Sequence, residues 1–217
     1  MPKPLATGNA LGRSYGGQSA EQRSAARRKR LMAAALDLFG TVGYANSPIE
    51  TLCVESSVST RSFYDDIGSR EALLIALVDS ITASAATKAA EAWAASADQS
   101  VAVRLERAFS AYLQVTCADH RSARVCYVEV IGVSQAVENW RQGWRDRVVD
   151  LFEREAERLV EKGLIHARDF RIFALAMIGA VNSLGQVWAV DGVRGELSID
   201  IVAAELAGLA TAGLERR

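Results

Sequence analysis

Side chains able to do chemistry gather between residues 27 and 70. Arg27, Arg28, Lys29 and Arg30 are consecutive cations. Ser47, Ser59, Thr60, Arg61, Ser62 and Tyr64 fall within one stretch, SPIETLCVESSVSTRSFY, and Arg70 follows shortly after. Hydroxyls, guanidinium groups and an ammonium group suit hydrogen bonding to base edges and phosphate oxygens. They do not suit bond-making chemistry. His120 and His166 stand in unrelated contexts, and the chain has no H-E-x-x-H, no phosphate-binding G-x-x-x-x-G-K-[ST], no G-x-G-x-x-G and no G-x-S-x-G. No catalytic residue is expected. Cys53, Cys117 and Cys126 are odd in number and lack C-x-x-C spacing, which fits reduced thiols and argues against a disulfide framework or zinc finger. Neither a metal nor a cofactor is expected, although Cys117 and Cys126 could form a redox pair.

Two helix starts lie inside the 47–64 stretch. Ser47 as cap, Pro48 at the first helical position and Glu50 three residues after Ser47 form a capping-box pattern. Ile49, Leu52 and Cys53 make one apolar stripe, which Ser56-Ser57 interrupts. Ser59 then caps a brief helix whose first turn, Thr60 to Ser62, is small, polar and cationic. Two short helices joined tightly predict a helix-turn-helix, whose second helix turns its N-terminal side chains to the major groove. The same spacing also allows a helical hairpin in an ordinary α-bundle with Phe63 and Tyr64 as core aromatics. Upstream, Leu31, Ala34, Ala35, Leu38 and Phe39 recur at helical spacing, and Gly43 ends that helix. Downstream, Ser69 caps a long helix with Leu73, Leu74, Leu77, Val78, Ile81 and Ala85 on its buried stripe; this helix links head to body.

From Arg30 to about Ile81 the chain resembles the DNA-binding region of the TetR family of transcriptional regulators. The resemblance rests on Ala34-Ala35-Leu36 with Leu38-Phe39, then Gly43-Tyr44, Val58-Ser59, Phe63-Tyr64, and Ser69-Arg70-Glu71 with Leu73-Leu74. Departures are Ser57 for the usual turn glycine, Asp66 for histidine, Ile67 for phenylalanine and Arg70 for lysine. Ser57 should therefore take a left-handed backbone, and Asp65-Asp66 adds negative charge near where phosphate would lie.

The predicted fold is all-α. Residues 1–22 read as a disordered, glycine-rich arm, 23–68 as the helix-turn-helix DNA-binding domain, and 69–217 as an effector-binding and dimerisation domain. The arm lacks the apolar region of a signal peptide, and no run of ~20 apolar residues is evident to span a bilayer, so no membrane partner and a cytoplasmic location are expected. The formal charge of -1 gives no global pull toward nucleic acid, so DNA affinity must come from the local cations. In the body, Leu105, Phe109, Tyr112 and Leu113 define one core face, and Trp140, Trp144, Val148, Leu151, Phe152 and Leu159 another. A shorter helix is expected over residues 124–133, with Glu129 either paired with Arg124 or facing a cavity. Gly163 ends the long charged helix. A nearly all-apolar helix spans about 169–190, and Ser198 caps a last helix. Small residues on these last two helices suit a close two-fold interface with Leu206 at its seam; a tight intramolecular hairpin is the other reading.

The resemblance implies a homodimeric repressor that binds a palindromic double-stranded operator and leaves it when a small-molecule effector binds. Phe109, Tyr112, Tyr127, Glu129, Trp144, Met177 and Asn182 are the candidate pocket residues, because they set aromatic and isolated polar groups on helix faces expected to converge; a largely apolar effector follows. The competing class is an all-α small-molecule or protein-binding module that does not touch DNA, and the cations around one short exposed helix distinguish the two.

Overall fold

The computed structural model describes residues 19–191 and 198–215, which contain nine α-helices and no strand. The N-terminal head is built from α1 (Ala20–Thr41), α2 (Ile49–Ser56) and α3 (Thr60–Asp66). α1 begins at a capping box in which Ser19 accepts from the Gln22 N–H and the Gln22 side chain accepts from the Ser19 N–H. Helix thus reaches into the segment expected to be an arm; the rest of that arm, 1–18, lies outside the described residues. Gly43 closes α1 in the left-handed region, φ 91°. Leu31, Phe39, Leu52, Phe63, Leu73 and Leu74 are wholly buried and form the core of the head.

The start of α2 corrects the capping-box reading. Ser47 is buried and its hydroxyl donates to the Gly43 carbonyl, so Pro48 occupies the cap position with no side-chain bond. Ser57 does adopt the left-handed conformation, φ 51° and ψ 45°, at the turn between α2 and α3. Ser59 caps α3 by accepting from the Ser62 N–H, and Ser69 caps α4 (Arg70–Ala95) by accepting from the Ala72 N–H.

The body comprises α4, α5 (Val101–Thr116), α6 (His120–Tyr127), α7 (Gln135–Glu161), α8 (Arg171–Asp191) and α9 (Ile199–Glu215). α6 starts earlier and stops sooner than the expected 124–133, because Asp119 caps it and the chain turns after Tyr127; Glu129 is therefore not helical. Gly163 is left-handed just past α7, and Ser198 accepts from the Ile201 N–H at the start of α9. The turn expected between α8 and α9 lies outside the described residues. α4 and α8 are each long and apolar enough to cross a bilayer, contrary to the expectation from sequence. Both are bundle helices, α4 packed on α5 and α8 on α6 and α7.

Candidate functional site

The residues expected to contact DNA divide by exposure. Thr60, Arg61 and Tyr64 project from α3, with the Arg61 side chain 93% exposed and loosely paired with Asp65 at 3.9 Å. Lys29 is exposed on α1. Ser59 and Ser62 hold the helix start, their hydroxyls 3.0 Å apart. Other cations expected on DNA serve the head itself. Arg27 pairs with Asp66 at 2.5 Å, Ser24 donates to the same carboxylate, and Arg28 donates to the Asp66 carbonyl. Arg30 donates to the Ser56 carbonyl. The Arg27 and Ser24 hydrogen bonds hold the Asp66 carboxyl below the usual carboxylate range. Asp66 is thus a neutralised clasp between α1 and the end of α3, and it does not project negative charge toward phosphate. Arg70 lies over the Tyr44 ring, 4.3 Å from its centroid, and donates to the Tyr44 and Ser47 carbonyls. It ties α4 to the loop before α2. Ser47, being buried, is not on the DNA-facing surface.

In the body, α4, α5, α7 and α8 enclose a cavity of about 230 Å³ that is apolar nearly throughout. Phe109, Tyr112, Trp144, Met177 and Asn182 all line it. Trp93, Phe152, Glu155 and Phe173 line it as well and are not among the candidate pocket residues read from sequence. Their signal was there: Trp93 is the one bulky residue in AAEAWAA, and Phe152 and Glu155 lie on the face that carries Trp144 and Val148. The Trp93 indole N–H donates to Glu155, which also pairs with Arg158. Trp93 is itself stacked on the buried Arg104 guanidinium, 3.7 Å from the ring centroid.

Tyr127 and Glu129 fall outside the cavity. Tyr127 is buried between α5 and α8, donating to the Thr116 hydroxyl at 2.7 Å. Its ring lies so close to Gly185 that a Cβ there would approach to 2.6 Å. Burial pushes the Tyr112, Tyr127 and Cys126 side chains well above their ordinary pKa values, and the Cys117 thiol up to about 11. Glu129 accepts from Arg124 at 2.7 Å and from the Tyr44 N–H at 2.6 Å. Of the two sequence readings of Glu129, the geometry favours pairing: the carboxylate fastens the body to the loop after α1, and Arg124 adds a bond to the Thr41 carbonyl. α6 lies so close to α1 that a Cβ on Gly40 would clash with the Arg121 backbone and Cβ.

Comparison with known proteins places this architecture. Residues 98–214, more than half of the chain, match the model of the tetracyclin repressor-like C-terminal domain. Similar solved structures include the fatty acid degradation regulator FadR from Bacillus halodurans (16% identity, TM-score 0.71, covering 88% of this chain and 97% of that one). FadR from Bacillus subtilis, solved in complex with stearoyl-CoA, is 15% identical with TM-score 0.71, covering 85% and 98%. A TetR-family transcriptional regulator from Syntrophomonas wolfei is 18% identical with TM-score 0.73, covering 87% and 94%. At these identities the likeness is one of fold. No curated protein sequence matches the chain. With a helix-turn-helix head joined to a body that matches this family's C-terminal domain, the chain belongs to the TetR family and is a DNA-binding transcriptional regulator.

Proposed function

We propose that the protein represses transcription in the cytoplasm as a homodimer on a palindromic operator, and that a largely apolar small molecule entering the body cavity releases it. The observation that carries the DNA reading is the projecting first turn of α3: Thr60 is exposed and Arg61 almost fully so, while Phe63 behind them is wholly buried, so the helix is fixed and its polar edge is accessible. Lys29 and Tyr64 flank that edge as phosphate contacts. The cations that clasp the head keep it rigid, which is a positioning role. Phe109, Tyr112, Trp144, Met177 and Asn182 are the effector contacts of this proposal. The non-DNA module draws no support from the family assignment. Because the Bacillus subtilis FadR structure holds stearoyl-CoA, acyl chains are a reasonable first effector class to test.

Dimerisation is supported by a stripe on α8: Ile172, Ala176, Gly179, Ser183, Val187 and Val190 are all exposed and recur at helical spacing. Ile201, Ala204, Gly208 and Leu209 continue it on α9. Nothing lies within 4 Å of where a Cβ on Gly179 or Gly208 would be, which leaves room for a partner helix. Leu206, expected at the seam, is instead wholly buried within the protomer.

Selection of bound duplexes from a random DNA pool, followed by fluorescence anisotropy on the recovered sequence, tests the reading. A two-fold symmetric site, salt-dependent binding and release by an acyl-chain compound are the expected results. Recovery of no preferred sequence would refute it.

A further inference from the structure

The cavity wall carries polar atoms of two kinds. At one end Glu155 is satisfied by Trp93 and Arg158. The Tyr112 hydroxyl lies beside that of Tyr127, which donates to Thr116. The Asn182 amide and the Trp144 indole N–H, by contrast, make no hydrogen bond among the described residues, and no sealed side-chain polar atom is left unpaired, so both open onto accessible space. The packing of α7 on α8 puts these two lining residues at the same end of the cavity. Phe152 meets Phe173 close to the short connection between α7 and α8, so the helices run antiparallel, and Asn182, nine residues past Phe173, falls level with the stretch of α7 around Trp144, eight residues before Phe152. Glu155 is eleven residues from Trp144, or roughly 16 Å along α7, at the opposite end.

Charge narrows the ligand further. Among the described residues no Lys, Arg or His lines the cavity, and the one ionised wall residue is Glu155. A carboxylate or phosphate drawn inside would lose its hydration without gaining a counter-ion, which is strongly unfavourable. An uncharged oxygen has a different prospect, since it can accept from the indole N–H and the amide and, as a hydroxyl, donate to the amide oxygen. A volume of 230 Å³ holds about eight groups of water size at roughly 30 Å³ each.

We propose that the effector places in this cavity an uncharged apolar chain about eight carbons long bearing a hydroxyl or carbonyl oxygen, which Asn182 and Trp144 bind, and that carboxylates are rejected. This rests on the cavity being the effector site. The test is calorimetric titration of the full chain with 1-octanol, methyl octanoate, 1-chlorooctane and sodium octanoate at pH 8. The alcohol and ester should bind about tenfold or more tightly than chlorooctane, with octanoate weakest. Asn182→Leu and Trp144→Phe, checked by thermal melting, should each bring the alcohol and ester down to the level of chlorooctane. Octanoate binding as tightly as octanol, or an oxygen preference surviving in both folded variants, would overturn the proposal while leaving the cavity as effector site. If none of the four compounds binds, the effector-site reading itself fails, and the proposal with it.

Discussion

A single arginine behaves according to what its guanidinium already holds. Arg61 is almost fully exposed and only loosely paired, whereas Arg70 is half-buried, stacked on Tyr44 and bonded to two carbonyls. Arg61→Ala should therefore leave the melting temperature unchanged and cost about 1–3 kcal/mol of operator binding, with relaxed preference at one position of each half-site. Arg70→Ala should lower the melting temperature, and its loss of DNA binding should follow from the loosened loop. Melting curves beside anisotropy titrations separate the two, and a thermally unchanged Arg70→Ala would contradict the assignment. Asp66 adds a pH dependence. Its carboxyl is held below the ordinary value by Arg27 and Ser24, so the clasp contributes stability that is fully present above the unfolded carboxyl pKa, about 3.9, and is lost as pH falls through the lower folded value. Asp66→Asn should be less stable at pH 7 and should lose less on acidification than wild type in pH-jump melts. Steeper acid loss in the variant would reverse the sign argued here.

At the scale of elements, α6 is the wedge between reading head and body. One side of it meets α1 at Gly40, where Arg121 pairs with Asp37; Arg124 bonds the end of α1 at Thr41, and Glu129 on the following turn grips the α1–α2 loop at Tyr44. Its last residue, Tyr127, fits against Gly185 of α8. Glu129→Leu would strand Arg124 and leave the Tyr44 N–H unpaired, so it should destabilise the protein by about 1–3 kcal/mol while effector affinity stays within twofold, because Glu129 is outside the cavity. Differential scanning calorimetry with effector titration checks this; a stable variant with weakened effector binding would put Glu129 back in the pocket. The sequence shows most of these elements but not this wedge, for physical reasons. Caps at Ser59, Ser69 and Ser198 were legible because a serine before an apolar-periodic run has few other roles. Ser47 misled, since a loop carbonyl competed for its hydroxyl. Five of the seven candidate pocket residues line the cavity and followed from helical faces, whereas Glu129 and Tyr127 required knowing where α6 starts and stops, and its start is set by Asp119 from outside the apolar pattern. Long-range pairs such as Arg27 with Asp66 leave no periodic trace at all.

At the scale of the whole molecule, the protomer has two sets of apolar side chains on α8 and α9 that no periodicity count can separate, since both helices are apolar nearly all round. Exposure separates them. Leu206 is wholly buried in the protomer core, while Val187, Val190, Ile201 and Leu209 are exposed by 41–66%. Charge introduced at these positions should therefore have opposite outcomes. Leu209→Glu removes apolar surface only from the exposed stripe proposed to meet a partner, so the protomer should remain folded and cooperative in melting but run as a monomer. Leu206→Glu places an unpaired carboxylate in the protomer core, which should unfold the chain before the question of dimerisation arises. Because a palindromic operator is bound through two half-sites held at fixed spacing, the folded Leu209→Glu monomer should also lose most operator affinity while keeping its effector affinity, as the cavity belongs to one protomer. Light scattering on both variants at micromolar concentration, with circular dichroism to report folding, decides the matter; a Leu209→Glu variant that is still a dimer would move the two-fold interface away from α8 and α9.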